Sequence, residues 1–421
     1  MLQARCAEEA EYEEIFTMTQ EAFRKATGER STGELERNIV EATVAADPSF
    51  RKGDLRVVEA EGKIVSMMLI IRRQVRIGKA IVNNAIVSPV ATCVGHQKKG
   101  YCSMVMRNAI NYMKEQEFDI TTLWGHPWLY THYGYSPAMV SPSVAIKPER
   151  CHTTEVKNTF TIQPYEETQA RAVTNIYHKN TINQVLAAIR NPEPFEWKVH
   201  SPNVEFQTVI DKKGRVIGYY SISQTAPSGR NLLEIGVANT EACKIIFNKL
   251  LGYAKEKKLT ELICPMSPRH PFAQFIYLQN AELRTTMASG AGFARILNMT
   301  TLFCKMKKEL EGRLNHSEFC NKTLSLAVKK GKETTTLLIN DGEITVPTER
   351  EKADYTLEAP LSSLNPLVTG YKSIYELAEK KEATINSNKV VTAKNQNGIR
   401  LVGVLFPKGT PYDGNLPLVW E

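Results

Sequence analysis

The chain has 421 residues, 42% of them hydrophobic and 23% charged; at about 150 residues per domain this is room for two to four domains with buried cores, and it excludes disorder as the main state. Lys and Arg number 53 against 45 Asp and Glu, a net charge of +8, which suits an anionic cofactor and, with no long basic block, does not point to nucleic acid. The longest apolar stretch, Ile64 to Ile71, is eight residues, far short of the roughly 20 a spanning helix needs, so no membrane partner is expected.

The N-terminal residues turn acidic at once and show no apolar leader core, so a cytoplasmic location is expected. Eight cysteines are scattered without a CxxC pair or histidines at zinc-ligand spacing. They read as buried reduced thiols, and no metal is expected.

Residues 8–27 carry Tyr12, Ile15, Phe16, Thr19 and Phe23 at helical spacing. Leu55–Ala60 and Lys63–Arg72 read as strands joined by a hairpin turn at Glu61-Gly62, and Ala80–Thr92 as a third strand interrupted by Pro89. A helix over 101–116 and a strand over Asp119–Trp124 follow. This is an α+β pattern with one βαβ-like step at 85–124. Residues 160–300 run through a similar order: a helical stretch at 166–190, strands at 204–211, 214–223 and 231–237, a helix at 240–257 and a strand at 260–264. That suggests an internal repeat of a fold rather than of sequence. The last part has strands at Thr323–Lys329 and Thr334–Ile339, a turn at Asn340-Asp341-Gly342, helical patterning over Leu361–Leu377 broken at Pro366 and Gly370, and strand-like runs at 389–394 and 399–405.

The stretch from Val90 to Tyr135 carries the chemistry. The loop Gln97-Lys98-Lys99-Gly100-Tyr101-Cys102 sits where a helix begins. Free N–H groups and the positive helix end favour phosphate there, Lys98 and Lys99 add full charges, and Gly100 lets a ligand approach the backbone. The loop lacks both G-x-G-x-x-G and the P-loop motif. Pro89 implies a bulge that leaves free backbone groups at Val90, Ala91 and Thr92, to which an amide-bearing arm can add like a strand. Gly125 and His126 follow the next strand.

With its loop Gln97–Cys102 set against the pattern Q/R-x-x-G-x-G/A, its helix, its strand ending at Trp124 and its segment Tyr130-Thr131-His132-Tyr133-Gly134-Tyr135, this stretch resembles the GNAT acyltransferases. Cys102 stands where that family has a small residue. The whole chain is similar to the Eis (enhanced intracellular survival) branch. The resemblance implies a catalytic GNAT domain at 1–150, a degenerate second GNAT-like domain at 151–302 and a sterol-carrier-like α/β domain at 303–421. The segment from Asp354 through Ile385 resembles the carrier-like domain, while Gly236–Thr240 occupies the second cofactor-loop place without its motif. The resemblance also implies acetyl-CoA as co-substrate, bound by Val90, Ala91, Thr92, Gln97, Lys98, Lys99, Gly100, Tyr101, Cys102, Gly125 and His126. It implies direct acetyl transfer to a primary amine, and a homo-oligomer, a hexamer by analogy.

Such transfer needs a neutral amine, a stabilised oxyanion and a proton for the departing thiolate. Backbone N–H groups near Val90 to Thr92 serve the oxyanion. Tyr130 matches the family's general acid; a free tyrosine near pKa 10 facing a thiol near 8.5 transfers its proton without a strong driving force. A packing role is the competing reading, and Tyr133 and Tyr135 read as structural. In the Eis branch the base is the terminal carboxylate, here that of Glu421, which carries a side-chain carboxylate as well; a frayed tail is the alternative. His96, His126 and His132 read as solvated or packing groups. A covalent route through Cys93 or Cys102 lacks a His–Asp partner. The rival function is a non-catalytic protein binding an apolar ligand in the carrier-like domain. Aminoglycoside, polyamine and lysine-type acceptors all stay open.

Overall fold

The computed structural model describes residues 3–26, 28, 31–157, 159–197, 203–223, 232–286, 292–349, 351–387 and 395–412. The chain divides into two compact units, one of Met1–Met139 with Ser289–Pro411, the other of Val140–Ala288 with Tyr412–Glu421.

The first unit is built on a seven-stranded sheet. Its strands are β1 (Ala4–Cys6), β2 (Leu55–Ala60), β3 (Lys63–Ile77), β4 (Ala80–Thr92), β5 (Ile120–Trp124) and β6 (Ser136–Pro137), with the strand Gly292–Ile296 inserted between β5 and β6. Glu61 and Gly62 both take positive φ, 54° and 74°, in the two-residue turn from β2 to β3, the geometry that matches strand twist. Helices α1 (Tyr12–Ala26), α2 (Glu34–Ala46) and α3 (Tyr101–Glu115) pack on β3 and β4. Because helices cover it, β3 is buried without a break from Ile64 to Ile71 rather than alternating. The α3 face buries Val105, Met106, Ala109, Ile110 and Met113 against Met68, Ile70, Ala85 and Val87, roughly 1.5–3 kcal/mol for each large side chain.

The second part of this unit begins with the helix Met299–Asn315. Buried Asp119 knots it to the sheet, accepting from Asn83 N (2.7 Å), Thr301 Oγ1 (2.9 Å) and Lys305 Nζ (2.6 Å). A five-stranded sheet follows, with strands in the order 343–345, 333–340, 324–330, 355–358 and 384–387. The turn after Asn340 has positive φ at Asp341 and Gly342. Helices Leu361–Thr369, Ile374–Glu379 and Asn395–Leu405 complete it. Gly370, at φ 78°, caps the first of these, and Pro366 lies inside it.

The other unit has a four-stranded antiparallel sheet in the order 232–237, 216–223, 204–211, 160–164, and a three-stranded sheet in the order 262–265, 141–146, 282–286. Helices Ala170–Thr181 and Thr240–Glu256 pack on the larger sheet.

Several elements differ from the sequence reading. The run 399–405 is not a strand but the end of helix Asn395–Leu405, whose buried Leu401, Val402 and Leu405 lie on one helical face; a short apolar run fits either period. The expected 389–394 strand lies outside the described residues. The helix expected over 166–190 stops at Thr181, and Leu186 then takes a φ of 73°. The unit boundaries also differ from cuts at 150 and 302: Ser141–Ile146 pairs with 262–265 and 282–286, Gly292–Ile296 pairs with β5 and β6, and residue 302 lies inside a helix. Of the cysteines, Cys151, Cys243 and Cys264 are buried, whereas Cys304 is exposed and the others are half-buried; all eight are free thiols. Among the described residues no helix is long and apolar enough to cross a membrane.

Candidate active site

The parallel pairing of β4 with β5 covers only Asn84–Ile86 against Ile120–Thr122. Among the described residues β4 pairs beyond Ile86 with β3 alone, which leaves its other edge without a strand partner from Val87 to Thr92. The β3–β4 register shifts here, with Met68 opposite Val90 and Ile70 opposite Val87, so the bulge implied by Pro89 is present. Ala91 is buried, and Val90 and Thr92 are half-buried. Ser66 Oγ fixes this stretch from β3, donating to Ala91 O (3.1 Å) and bonding Thr92 Oγ1 (2.9 Å).

After β4 a short turn, Val94–His96, leads to Gln97, Lys98, Lys99 and Gly100, all exposed. Lys98 has φ 61° and Gly100 φ 88°. These two left-handed residues turn the chain into α3, which starts at Tyr101 with no side-chain cap and no acidic residue in its first turn. Its first-turn N–H groups are therefore not neutralised by the chain's own carboxylates, whereas α1 and α2 carry glutamates there. A Cβ on Gly100 would meet no protein atom within 4 Å; the space in front of the loop is open. Open backbone, two lysines and an uncapped helix end suit a phosphate-bearing anion. The matching turn of the other unit does not. There Asn239 caps helix Thr240–Glu256 by accepting from Ala242 N (2.9 Å), and Glu241 sits in the first turn.

Tyr130 ends the short helix α4 (Pro127–Tyr130), which His126 precedes and Pro127 opens. Gly125 is required by contact: a Cβ there would lie 2.4 Å from Tyr130 Cε2. Tyr130 is buried, packed edge-on to Tyr135 at 6.1 Å and 71°. Burial pushes its hydroxyl well above the ordinary value, and Cys102, Tyr135 and Tyr133 push in the same direction. It therefore stays protonated throughout the working pH range, as a weaker acid than a free tyrosine. Tyr135, raised to about 12 by burial, bonds Thr121 Oγ1 at 3.1 Å, and Tyr133 donates to Ser103 Oγ at 2.8 Å. These two bonds fasten the tyrosine segment to β5 and to the first turn of α3.

The remaining candidates lie around this core. His126 is exposed, its ring 6.0 Å from that of exposed Trp128. His96 lies 6.1 Å from the Tyr101 ring, and His132 is exposed. Burial raises the pKa of both Cys93 and Cys102, the wrong direction for a nucleophilic thiolate. A hollow of about 410 Å³ opens between α1, the start of β3 and the Cys93–His96 turn, walled by Glu13, Glu14 and Glu21. Glu421 lies outside the described residues. Among the described residues no group of His, Cys, Asp or Glu is placed to hold a metal ion. Sequence reading missed the contact role of Gly125 and the Ser103 partner of Tyr133, which depend on how α4 folds onto α3.

Residues 3–138 match the acetyltransferase (GNAT) domain family. No curated protein matches the chain in sequence. Among solved structures, a GCN5-related N-acetyltransferase from Anabaena variabilis is similar with a TM-score of 0.71 and 14% identity over 98% of both chains. One from Kribbella flavida has a TM-score of 0.69 and 14% identity over 98% of this chain and 97% of that one. Eis1 from Mycobacterium abscessus has a TM-score of 0.65 and 12% identity over 98% and 99%. At these identities the structures speak for the fold, while the domain match speaks for the chemistry: the chain carries an acetyltransferase domain of the GNAT family at residues 3–138 and is an N-acetyltransferase.

Proposed function

We propose that this enzyme transfers the acetyl group of acetyl-CoA directly to a primary amine, both substrates being bound together. The observation that carries the reading is the meeting, in one unit, of three features: the uncapped start of α3 behind Lys98, Lys99 and Gly100, the open edge of β4 from Val87 to Thr92, and buried Tyr130 beside Cys102. The α3 end and the lysines hold phosphates. The β4 edge takes an amide-bearing arm as an added strand. The Tyr130 hydroxyl, kept protonated by burial, donates to the departing sulfur. The Eis-like plan of two GNAT-like domains and a carrier-like third part, and assembly into homo-oligomers, belong to the same reading.

The test is release of coenzyme A on addition of amines, with and without Tyr130→Phe. The variant should bind acetyl-CoA normally and lose about a hundredfold in kcat, equal to about 2.7 kcal/mol of barrier. Normal turnover in Tyr130→Phe would sink the donor assignment. A carboxylate at Glu421 is the expected proton acceptor from the amine. Deleting Trp420 and Glu421 should lower kcat/KM for the amine about tenfold or more, about 1.4 kcal/mol, with acetyl-CoA affinity unchanged; an unchanged kcat/KM excludes that role.

A further inference from the structure

The segment that aims Tyr130 is held only partly by its neighbours in sequence. Tyr130 N–H reaches His126 O at 3.3 Å and Tyr135 N–H reaches Tyr130 O at 3.4 Å, both long bonds. Beside the Gly134 N–H bond to Thr131 O (3.1 Å) and the Tyr133–Ser103 and Tyr135–Thr121 bonds, further support comes from the far end of the same unit. Asn365, fully buried in helix Leu361–Thr369, donates from Nδ2 to the Gly134 carbonyl (3.0 Å) and to Ser136 Oγ (3.0 Å). Its Oδ1 accepts from the Ile296 N–H at 2.9 Å. Arg295, on the strand Gly292–Ile296, donates from Nη1 to the Tyr133 carbonyl. Gly134 takes φ 75°, and a Cβ there would lie 3.3 Å from both Arg295 Nη1 and Leu361 Cδ1. Two successive carbonyls, of Tyr133 and Gly134, are thus each gripped by a different distant donor at a left-handed turn.

Neither residue is there for local reasons. Asparagine is a poor helix former, and a position with no exposure inside a helix is better filled by leucine. Yet the polar atoms of Asn365 reach the tyrosine turn and the strand beside it, leaving the amide satisfied. Arg295 is half-buried, and that burial disfavours its charged form. A guanidinium in such a place is costly unless its bond to the turn matters.

We propose that Asn365 and Arg295 are positioning residues for the reaction, clamping the Tyr133–Gly134 turn so that the Tyr130 hydroxyl is held where it donates its proton. The third part of the chain then serves the catalytic domain through helix Leu361–Thr369. This inference rests on Tyr130 as proton donor. A donor must lie within about 3 Å of its acceptor, and a displacement of about 1 Å can cost a hundredfold in rate.

The experiment is a double-mutant cycle of Asn365→Ala and Tyr130→Phe in the full-length enzyme, with acetyl-CoA affinity by calorimetry and amine kinetics. Asn365→Ala should lower kcat at least about tenfold while acetyl-CoA Kd and amine KM change less than about threefold. The double variant should fall no further than Tyr130→Phe alone, because a positioning residue has nothing left to position. Multiplying losses, or Asn365→Ala at the wild-type rate, overturn the inference and leave the donor assignment standing. Tyr130→Phe at the wild-type rate removes both. Should Asn365→Ala not fold, the same cycle is run with Arg295→Met, and Arg295→Lys, which keeps a donor toward the Tyr133 carbonyl, should recover most of kcat; a lysine variant as impaired as methionine overturns the clamp.

Discussion

A Gly100→Asp enzyme is expected to lose acetyl-CoA binding by at least about a hundredfold in Kd, roughly 2.7 kcal/mol, with its fold retained. Clash with the protein is not the cause, since a Cβ at this position meets nothing within 4 Å. The cause is charge. A carboxylate is set at the uncapped end of α3, where Lys98 and Lys99 otherwise face the anion. It competes with the ligand for the first-turn N–H groups and repels the phosphates. The backbone contributes a smaller cost: at φ 88° any side chain is strained, by about 1–2 kcal/mol, and aspartate is among the residues that tolerate the left-handed region best. Gly100→Ala separates the two effects, because it carries the strain without the charge and should lose about tenfold or less. Calorimetric titration of both variants with acetyl-CoA, beside thermal melting, makes the comparison. Equal losses for alanine and aspartate would mean that conformation, not charge, governs the loop, and an unchanged affinity in Gly100→Asp would mean that the phosphates lie elsewhere.

What could be read in advance follows from how local each feature is. The strands Ala80–Thr92 and Val204–Asp211 were legible to the residue, because each is a β-rich run closed by turn-forming neighbours. The strand-to-helix junction from Gln97 to Cys102 was legible because its turn-forming and helix-starting residues lie side by side. The bulge at Pro89 was legible because a proline cannot donate to a ladder. Features made by contacts distant in sequence were not. Ser141–Ile146 opens on Ser-Pro and drew no element assignment from the sequence; its strand is made by the partners 262–265 and 282–286. The strand Gly292–Ile296 has five residues and takes its place only because β5, some 170 positions earlier, offers an edge. Nothing around Asn365 or Arg295 marks them, since their partners at Tyr133, Gly134 and Ser136 lie far off along the chain. Helix Asn395–Leu405 was misread for the opposite reason: its local pattern was real but fitted two periods.

The two units carry one dipeptide in two settings, and the difference predicts an acid-labile second unit. His126-Pro127 follows β5 and opens α4 with the imidazole exposed. His270-Pro271 follows the strand 262–265 and opens helix Pro271–Tyr277, but here the imidazole is buried. Its Nδ1 accepts from Phe272 N at 3.1 Å, and the backbone of Ile235 bonds the ring as well. Strand 232–237, which holds Ile235, does not pair with 262–265, so His270 braces a strand to the start of a helix across an unpaired gap. Burial pushes its pKa down to about 3, against about 6.5 in an unfolded chain. As pH falls below about 6.5 the unfolded chain takes up a proton that the folded unit refuses until about 3. The stability this group contributes is therefore complete above about 6.5 and is lost progressively on acidification, at about 1.4 kcal/mol per pH unit. Between pH 6.5 and 4.5 the loss from this group should be about 2.3 kcal/mol. His270→Asn keeps a side chain able to cap the helix but cannot titrate, so it should lower stability at pH 7 and flatten the slope below. Hydrogen exchange on the intact chain, followed at strands 232–237 and 262–265 at both pH values, reads this directly. Equal pH slopes in the wild type and His270→Asn would show that the buried imidazole does not govern the acid response of this unit.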